Sequence, residues 1–574
     1  MSSTAAQIAR IKKIQGVFSA LALLNMNGHL YPKESNVCDG DTYDYIIVGA
    51  DSASVVIAAR LAAANKTILL IEPGENPGIE SQFPGLVTYV KNSRVDWNYT
   101  SESDGFTGKC HKAGGSLLGK VLGGSGPTNF MIYGRGSPQD YYGFYKATND
   151  SSWKWQNMLK YFKKSEKLQD LSVLKSAFGK YHSDKGTIGV IKENRSVCDD
   201  YLIGFEEAGE SVVIDNIGAG ILGYSSALYN ILDGVRTEGA STYLPPLKDN
   251  PNLNITRSSL ATKIIFDENK NAVGVEFVKN GKAVTVKARK EVIVSAGPVK
   301  SPQLLMLSGI GPKEHLEKMN ITVISDLPVG KNLQNVVGAL LVFRTNRPAK
   351  PEPFNAHNYP APFIVGYSAL NKSSRNPDYE TLNFIMDDPS YFLSFCGFTL
   401  GFKNSICDKL HLLAENTQML VTVVSNIKPK SRGEILLNST DPFAQPKIIN
   451  GYYSNDHDLD AIVEHILDYI KIEGTPHFQC LRVEFMRATE KCNKFEFGSR
   501  AYFRCYALCM IATTGRRCGS CAMGSVVDSK LNVMGVKRLR VADASVMPNT
   551  IGSPIYASEV ALAEKAAEMI LESS

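Results

Sequence analysis

The stretch from Gly49 to Ser54 has the residue types and setting of a turn that binds a dinucleotide. In such turns three glycines let the backbone approach a pyrophosphate, and an acid about 20 residues later binds a ribose hydroxyl. Glu72 stands at about that distance after Gly49, but Asp51 and Ser54 replace the second and third glycines. The setting of this turn therefore predicts a nucleotide-binding site. The replacement of two glycines predicts that its binding of a pyrophosphate is altered.

Asp51 is the most consequential replacement because it brings a carboxylate to the place where a phosphate would bind. Two like charges about 4 Å apart repel by roughly 4 kcal/mol at an effective dielectric constant of about 20. That energy corresponds to about three decades of affinity. Ser54 is milder, since a small residue still lets the helix pack closely on the strand. The turn is thus predicted to bind a pyrophosphate weakly.

Hydrophobic periodicity around the turn predicts a strand, a helix and a second strand. The apolar strand covers Tyr45–Val48, the helix covers Ser54–Ala64 with an alanine-rich face, and a continuous apolar run covers Thr67–Ile71. Continuous apolar runs are typical of parallel strands that are buried on both faces. The pattern predicts an α/β fold of Rossmann type.

Some later segments again alternate between buried strands and helices, whereas the middle of the chain does not. Residues 291–295 read as a buried strand that leads to a helix beginning at Pro302, and residues 538–544 read as another strand before a long amphipathic helix at 555–573. Between them, residues 340–500 alternate between polar and apolar positions, which is typical of antiparallel strands. This middle region is predicted to form a cap over the nucleotide-binding part.

We therefore expect a discontinuous organisation in four segments. These are an N-terminal signal-like or packed segment at 1–42, a nucleotide-binding domain with cap insertions at 43–335, a substrate or cap domain at 336–500, and a return to the nucleotide-binding domain at 501–574.

Composition narrows the classes of function. The 574 residues are 44% hydrophobic and 21% charged, as expected of a globular protein with more than one domain. The net charge of +5 is small for this length, and without a basic run it does not indicate nucleic-acid binding. No apolar stretch approaches the roughly 20 residues of a membrane-spanning helix. The expected partner is a small-molecule ligand or substrate.

The N-terminus allows two interpretations. Arg10, Lys12 and Lys13 precede the apolar run 16–24, which describes a secretory signal. The same residues also suit an amphipathic helix packed on the domain. The first interpretation predicts a secreted protein and the second is compatible with the cytoplasm.

Eleven cysteines leave at least one without an intramolecular partner. The pairs Cys396/Cys407 and Cys480/Cys492 are spaced like small disulfide loops, although sequence alone leaves the connectivity open. Cys518 and Cys521 form a C-x-x-C that resembles a redox pair but lacks the expected fold around it. Neither a zinc-binding spacing nor a hydrolase nucleophile elbow is present, so no metal is expected.

Three stretches carry a family resemblance: "GKVLGGSGPTN" at 119–129, "GPVKSPQLLMLSGIG" at 297–311 and "LRVADASVMP" at 539–548. In this order and spacing the chain resembles the glucose-methanol-choline (GMC) flavoprotein oxidoreductases, insect glucose-dehydrogenase-like branch, over about 43–572. The resemblance implies a discontinuous FAD-binding domain and a cap with an antiparallel sheet. It also implies an ancestral oxidation of CH–OH donors by hydride transfer to the flavin.

The resemblance also implies the positions that contact FAD. They are Gly49, Asp51, Ser52, Glu72, Gly123, Gly124, Ser125, Asn129, Asp543 and Ala544.

Both catalytic positions implied by the resemblance have changed. Arg516 occupies the position of the histidine that accepts the hydroxyl proton, and Tyr556 occupies the position of the second histidine or asparagine. Arginine stays protonated in proteins and tyrosine has a pKa near 10, so both are poor bases. Arg516 with Arg517 suits a solvated pair or an anion site instead.

These changes predict a catalytically impaired or repurposed protein that binds a small apolar or anionic ligand. The alternative is an active FAD-dependent alcohol oxidoreductase with a rearranged active site. A third reading, a flavin-dependent lyase or isomerase, needs no net hydride transfer.

Overall fold

The computed structural model describes residues 3–23, 28–112, 115, 117–220 and 222–573. Its two largest elements are seven-stranded sheets. We call the first the nucleotide sheet and the second the cap sheet. A hydrophobic core surrounds each of them.

The nucleotide sheet is parallel at its centre. Thr42–Val48 pairs in parallel with a neighbour on each side, and Ile46 and Ile47 are fully buried, as expected of a strand covered on both faces. Across the sheet the strands are Ser259–Phe266, Ala272–Lys279, Lys282–Val294, Thr42–Val48, Ile68–Ile71 and Leu253–Thr256, with Leu539–Val541 paired to Lys282–Val294.

The cap sheet is antiparallel throughout. Across the sheet its strands are Glu484–Phe485, Val337–Pro348, Thr417–Asn426, Tyr379–Met386, Phe363–Ser368 and Gly223–Ser226, with Ile511–Thr513 paired to Val337–Pro348. Smaller sheets combine Glu166–Leu168, Ile188–Lys192 and Leu228–Tyr229; Ile231–Leu232 and Val235–Arg236; Ile310–Gly311 and Ser325–Asp326; and Glu434–Leu436 and Lys447–Ile449.

The α-helices pack around both sheets. Their bounds are Thr4–Leu23, Ser52–Ala63, Ile79–Gln82, Pro138–Thr148, Trp155–Ser165, Leu171–Leu174, Val197–Glu207, Gly239–Tyr243, Gly297–Leu307, Lys313–Lys318, Pro389–Ser394, Asn404–Leu413, Asp456–Tyr469, Pro476–Cys480, Arg500–Cys509 and Tyr556–Glu572.

The predicted Rossmann-type α/β fold with an antiparallel cap is confirmed. Two helices begin earlier than predicted. Ser52–Ala63 begins before Ser54 because Asp51 caps its first turn, and Gly297–Leu307 begins before Pro302. Glycine and proline at the start of the second helix resemble turn residues in sequence, although proline is tolerated in the first helical turn. The four-segment division of the chain stays a prediction.

The N-terminal helix Thr4–Leu23 packs on the rest of the protein. The backbone N–H and the hydroxyl of Thr4 donate to Asp408, and the amide of Gln15 donates to the carbonyl of Lys91. These contacts support the packed alternative for this segment. Within the described ranges, every helix is too short or too polar to cross a bilayer.

Three disulfides are present, Cys110–Cys509, Cys396–Cys407 and Cys492–Cys505. The expected Cys396–Cys407 pair is confirmed. The expected Cys480–Cys492 pair is wrong, because the fold brings Cys505 to Cys492 and leaves Cys480 exposed as a free thiol. Spacing along the chain could not distinguish these partners.

Four buried ionisable side chains, Arg135, Glu166, His182 and Asp215, form an ionic cluster. Glu166 forms an ion pair with Arg135 at 2.6 Å and lies 3.1 Å from Nδ1 of His182, and the other ring nitrogen of His182 lies 3.2 Å from Asp215. Burial alone would lower the pKa of His182, but its hydrogen bonds to Asp215 and Glu166 outweigh burial and raise it. The two carboxylates therefore favour the imidazolium form of His182 in the folded state.

We expect His182→Gln to destabilise the protein more at pH 6 than at pH 9. The folded-state pKa of His182 lies above its unfolded value, so its contribution is complete below about pH 6.5 and is lost as the pH rises through the folded pKa. Removing one partner of a buried ionic cluster costs about 3–5 kcal/mol. Urea unfolding at both pH values measures the difference, and exposed His457, changed to Gln, is the control with an expected loss under about 1 kcal/mol. Equal losses at both pH values would show that His182 is neutral in the fold.

Candidate functional site

Two adjoining cavities lie at the carboxyl ends of the parallel strands. The smaller, which we call the nucleotide pocket, is lined by Gly49, Glu72 and Gln303, among others. The larger, the central cavity, has a volume of about 1090 Å³ and lies between the two sheets. Asp51 lines both cavities. In open α/β sheets this edge is where ligands bind.

Gly49 and Glu72 shape the wall of the nucleotide pocket. Gly49 has a φ of +90°, and a Cβ there would lie 2.4 Å from the carbonyl oxygen of Ser295, so only glycine fits. The two oxygens of Glu72 accept from the backbone N–H groups of Ala50 and Gly74 at 2.9 and 2.8 Å. Burial raises the pKa of Glu72 to about 8. Glu72 therefore holds the turn itself and carries a proton at neutral pH.

Asp51 occupies the anion-binding position of the turn. Its Oδ1 accepts from the backbone N–H of Ser52 at 2.7 Å, at the start of a helix, and from the backbone N–H of Ser125 at 3.1 Å. Helix N-termini bind anions through such N–H groups. Burial raises the pKa of Asp51 to about 6, so the carboxylate is ionised at neutral pH and fills this site with the chain's own charge.

The glycine-rich segment at residues 119–129 lies against the side chain of Asp51. Gly123 and Gly124 have φ values of +98° and +58°, and a Cβ on Gly124 would lie 2.1 Å from Asp51 Oδ1. Asn129 lies further along, in the wall of the central cavity, and its Oδ1 accepts from Met131 N and from Arg236. This segment therefore donates a hydrogen bond to the Asp51 carboxylate through Ser125, and it lines the central cavity through Asn129.

Asp543 supports the opposite side of the junction between the cavities. It accepts from Gly297 N at 2.9 Å, from the Ser301 hydroxyl at 2.5 Å and from Ser545 N at 2.7 Å. Burial raises its pKa despite these bonds. Ala544, the next residue, lines the central cavity. The contacts of Asp543 fix two backbone turns, which is a structural role.

Arg516 is fully buried in the wall of the central cavity. Its Nη2 lies 2.5 Å from Oε2 of Glu380, and Oε1 of Glu380 accepts from the Tyr367 hydroxyl at 3.2 Å. Burial raises the pKa of Glu380, and the charge of Arg516 opposes that rise. The position that the resemblance assigns to a general base thus holds a buried ion pair.

Tyr556 lines the same cavity at the first turn of the helix Tyr556–Glu572. Its hydroxyl is buried without a hydrogen-bond partner among the described residues. Burial raises its pKa well above 10, so it is not a base at neutral pH. Glu559, one helical turn on, also lines the cavity, and burial raises its pKa well above the usual range.

The structure adds three residues that sequence reasoning missed. Glu380 lies within a strand, where nothing in the local sequence links it to Arg516. Glu559 lies in a helix that was predicted only as amphipathic. His111 lines the central cavity and donates from Nε2 to the carbonyl of Ile511 at 2.7 Å. Only the folding of distant segments around one cavity reveals these three.

The site residues therefore fall into two groups. Gly49 and Glu72 line the nucleotide pocket, while Arg516, Tyr556, Asn129 and Ala544 line the central cavity, and Asp51 stands between the groups. Arg517 also lines the central cavity and donates to the amide oxygen of Asn450.

Comparisons with known proteins identify relatives over nearly the whole chain. Models of the GMC oxidoreductase family match residues 43–337 and 429–563. Ecdysone oxidase of Bombyx mori is 36% identical over 95% of this chain and 84% of its own length. Glucose dehydrogenase [FAD, quinone] of Drosophila melanogaster is 30% identical over 92% of this chain and 86% of its own length.

Solved structures have the same overall fold. Formate oxidase of Aspergillus oryzae RIB40 superposes with a TM-score of 0.80 at 26% identity, covering 94% of this chain and 99% of the other. Pyridoxine 4-oxidase of Mesorbium loti superposes with a TM-score of 0.79 at 23% identity, covering 92% and 99%.

Proposed function

Since this chain belongs to the GMC oxidoreductase family, we propose that it is a flavoprotein oxidoreductase by descent whose alcohol oxidation is impaired and whose central cavity binds a small ligand. Membership confirms the resemblance that the three motifs indicated. The observation that carries the proposal is the carboxylate of Asp51, which takes up the N–H groups of Ser52 and Ser125.

The residues fit FAD at its two ends but not at its pyrophosphate. The nucleotide pocket keeps the glycine turn and an acid at the ribose position, and the central cavity has ample volume for a ring system. Between them the helix N-terminus already holds a carboxylate, which accepts from the backbone N–H groups of Ser52 and Ser125. Above pH 6 the site therefore disfavours the pyrophosphate by charge and by occupancy.

The loss of the proton acceptor supports the same conclusion independently. A general base needs a pKa near the working pH. Arg516 is tied to Glu380 by an ion pair, and the Tyr556 hydroxyl has a raised pKa. Neither residue can take the proton of an alcohol at neutral pH.

The visible spectrum of the purified protein tests this proposal. We expect no flavin absorbance near 450 nm in stoichiometric amount at pH 8, because ionised Asp51 repels the pyrophosphate. Released flavin is quantified after denaturation with acid, and a GMC-family oxidase purified in parallel serves as the positive control. Stoichiometric flavin in the native protein would overturn the proposal.

The second candidate is an active FAD-dependent oxidoreductase acting on CH–OH donors. The observation that favours it is His111, an imidazole in the wall of the central cavity, whose pKa is lowered mainly by burial. Histidine with a pKa near or below neutrality can serve as a base. Reduction of bound flavin by a panel of alcohols without oxygen would support this candidate.

We also propose that the protein is secreted. Its three disulfides support this location, because such bonds persist in oxidising compartments and are rare in the cytosol.

A further inference from the structure

The inner wall of the central cavity contains buried polar atoms that lack partners. Nε and Nη1 of Arg516, the hydroxyl of Tyr556 and Oε1 of Glu559 make no hydrogen bond to any described residue. All three residues are at most 6% exposed. More than about nine in ten buried polar groups in proteins are hydrogen-bonded, so these atoms are open to hydrogen bonds from a ligand in the cavity.

These atoms are mainly donors. Arg516 uses Nη2 for Glu380 and leaves Nε–H and Nη1–H₂ for another acceptor. The unpartnered hydroxyl of Tyr556 can also donate. Arg517, the next residue in the chain, lines the same cavity and donates to the amide oxygen of Asn450. A carboxylate supplies acceptor oxygens for these unpartnered donors.

The rest of the cavity wall is suited to an apolar body. Leu382 and Phe384 of one cap strand, Val423 of its neighbour, and Phe395 and Phe398 beyond them line the cavity. The volume of about 1090 Å³ is slightly larger than the range of about 300–1,000 Å³ that is typical of pockets for drug-sized ligands. A small alcohol or a free inorganic anion would leave most of this apolar surface in contact with water.

Two of the other cations in the cavity wall, Lys91 and Lys112, are less suited than Arg516 to bind the charged group. The ammonium group of Lys91 donates to the carbonyl of Thr399 at 2.8 Å, and that of Lys112 donates to the carbonyl of Gly397 at 3.1 Å. Both already have backbone partners, whereas two nitrogens of Arg516 have none in the described part of the chain. The charged group is therefore placed at Arg516.

We propose that the central cavity binds an amphipathic carboxylic acid, with its carboxylate against Arg516 and its apolar body along the cap sheet. This inference rests on the proposed function, because a ligand of this size uses space that a flavin ring would otherwise occupy. It adds the chemical class of the ligand to the proposal that this protein binds one.

Isothermal titration with decanoate, decanol and acetate at pH 8 tests the inference. Hydrogen bonds to charged groups should make decanoate bind at least about tenfold tighter than decanol, and acetate, which lacks the apolar body, should show no binding at millimolar concentration. Equal affinity for decanoate and decanol, or no binding of decanoate, would overturn the inference.

Two variants locate the carboxylate. Arg516→Lys keeps a cation beside Glu380 but removes the unpartnered guanidinium donors, so the tenfold preference for decanoate should disappear while decanol still binds. Lys112→Gln removes a cation from the same cavity and should keep the preference. A preference that survives Arg516→Lys, or is lost in Lys112→Gln, would contradict the assignment.

Flavin content is measured on the same preparations, because it separates the two proposals. Stoichiometric flavin contradicts the proposed function, whereas the ratio of decanoate to decanol affinity decides the ligand class alone.

Discussion

Asp51→Gly is expected to increase the affinity for FAD at pH 8 by about three orders of magnitude. The substitution removes the charge and frees the N–H groups of Ser52 and Ser125, which Asp51 occupies in the native protein. Glycine is a tolerated N-cap and costs the helix only a few tenths of a kcal/mol relative to aspartate. Quenching of FAD fluorescence on titration with native and variant protein measures the ratio.

Asp51→Asn is the matched control for this substitution. Asparagine is a comparable N-cap of the same size, so it removes the charge but keeps the side chain over the N–H groups. Asp51→Asn should therefore show only part of the increase in FAD affinity that is expected for Asp51→Gly.

The pH dependence separates charge from occupancy. The pKa of Asp51 is about 6 in the fold, so the neutral acid forms as the pH falls through 6. Affinity of the native protein for FAD should rise over that range, and affinity of the Asn variant should stay level. Native protein that binds FAD at pH 8 as tightly as Asp51→Gly would contradict the account of the turn.

Arg516→Met is expected to lower the free energy of unfolding by about 3–5 kcal/mol, because it leaves Glu380 buried without its cation. Glu380→Gln in the same chain should recover most of that loss, since the double variant has no unpaired charge. Urea unfolding of the four proteins of this cycle gives the coupling energy.

A surface pair provides the control for that cycle. Arg344 pairs with Glu484 on the cap surface, and Arg344→Met should cost less than about 1 kcal/mol. If the double variant Arg516→Met/Glu380→Gln is no more stable than Arg516→Met, then Glu380 does not depend on Arg516 for its charge balance.

Much of the fold could be predicted from local patterns. The strand before Gly49, the helix after it and the run at Ile68–Ile71 follow from hydrophobic periodicity, since burial on both faces requires continuous apolar residues. Helix starts were less predictable. The helix Gly297–Leu307 begins with glycine and proline, which in sequence resemble a turn, and only its packing identifies them as helical.

The candidate site was predictable in position but not in its contacts. Motif spacing in the sequence predicts the altered turn and the two altered catalytic positions, and their functional roles stay predictions. The sequence predicted charge repulsion at Asp51, but not that Asp51 accepts hydrogen bonds from the backbone N–H groups of Ser52 and Ser125. That detail depends on Ser125, which lies 74 positions away in the chain.

The order of residues along the chain therefore determined the predicted strands and helices, the family, and the prediction that Arg516 stands at the position of the family histidine. Long-range folding accounts for the partner of Arg516, for the connection of Cys492 to Cys505 and for the unpartnered donors in the central cavity. The physical reason is the same in each case: periodicity and spacing are local properties, whereas ion pairs, disulfides and cavity walls join segments whose separation in sequence carries no information about their contact.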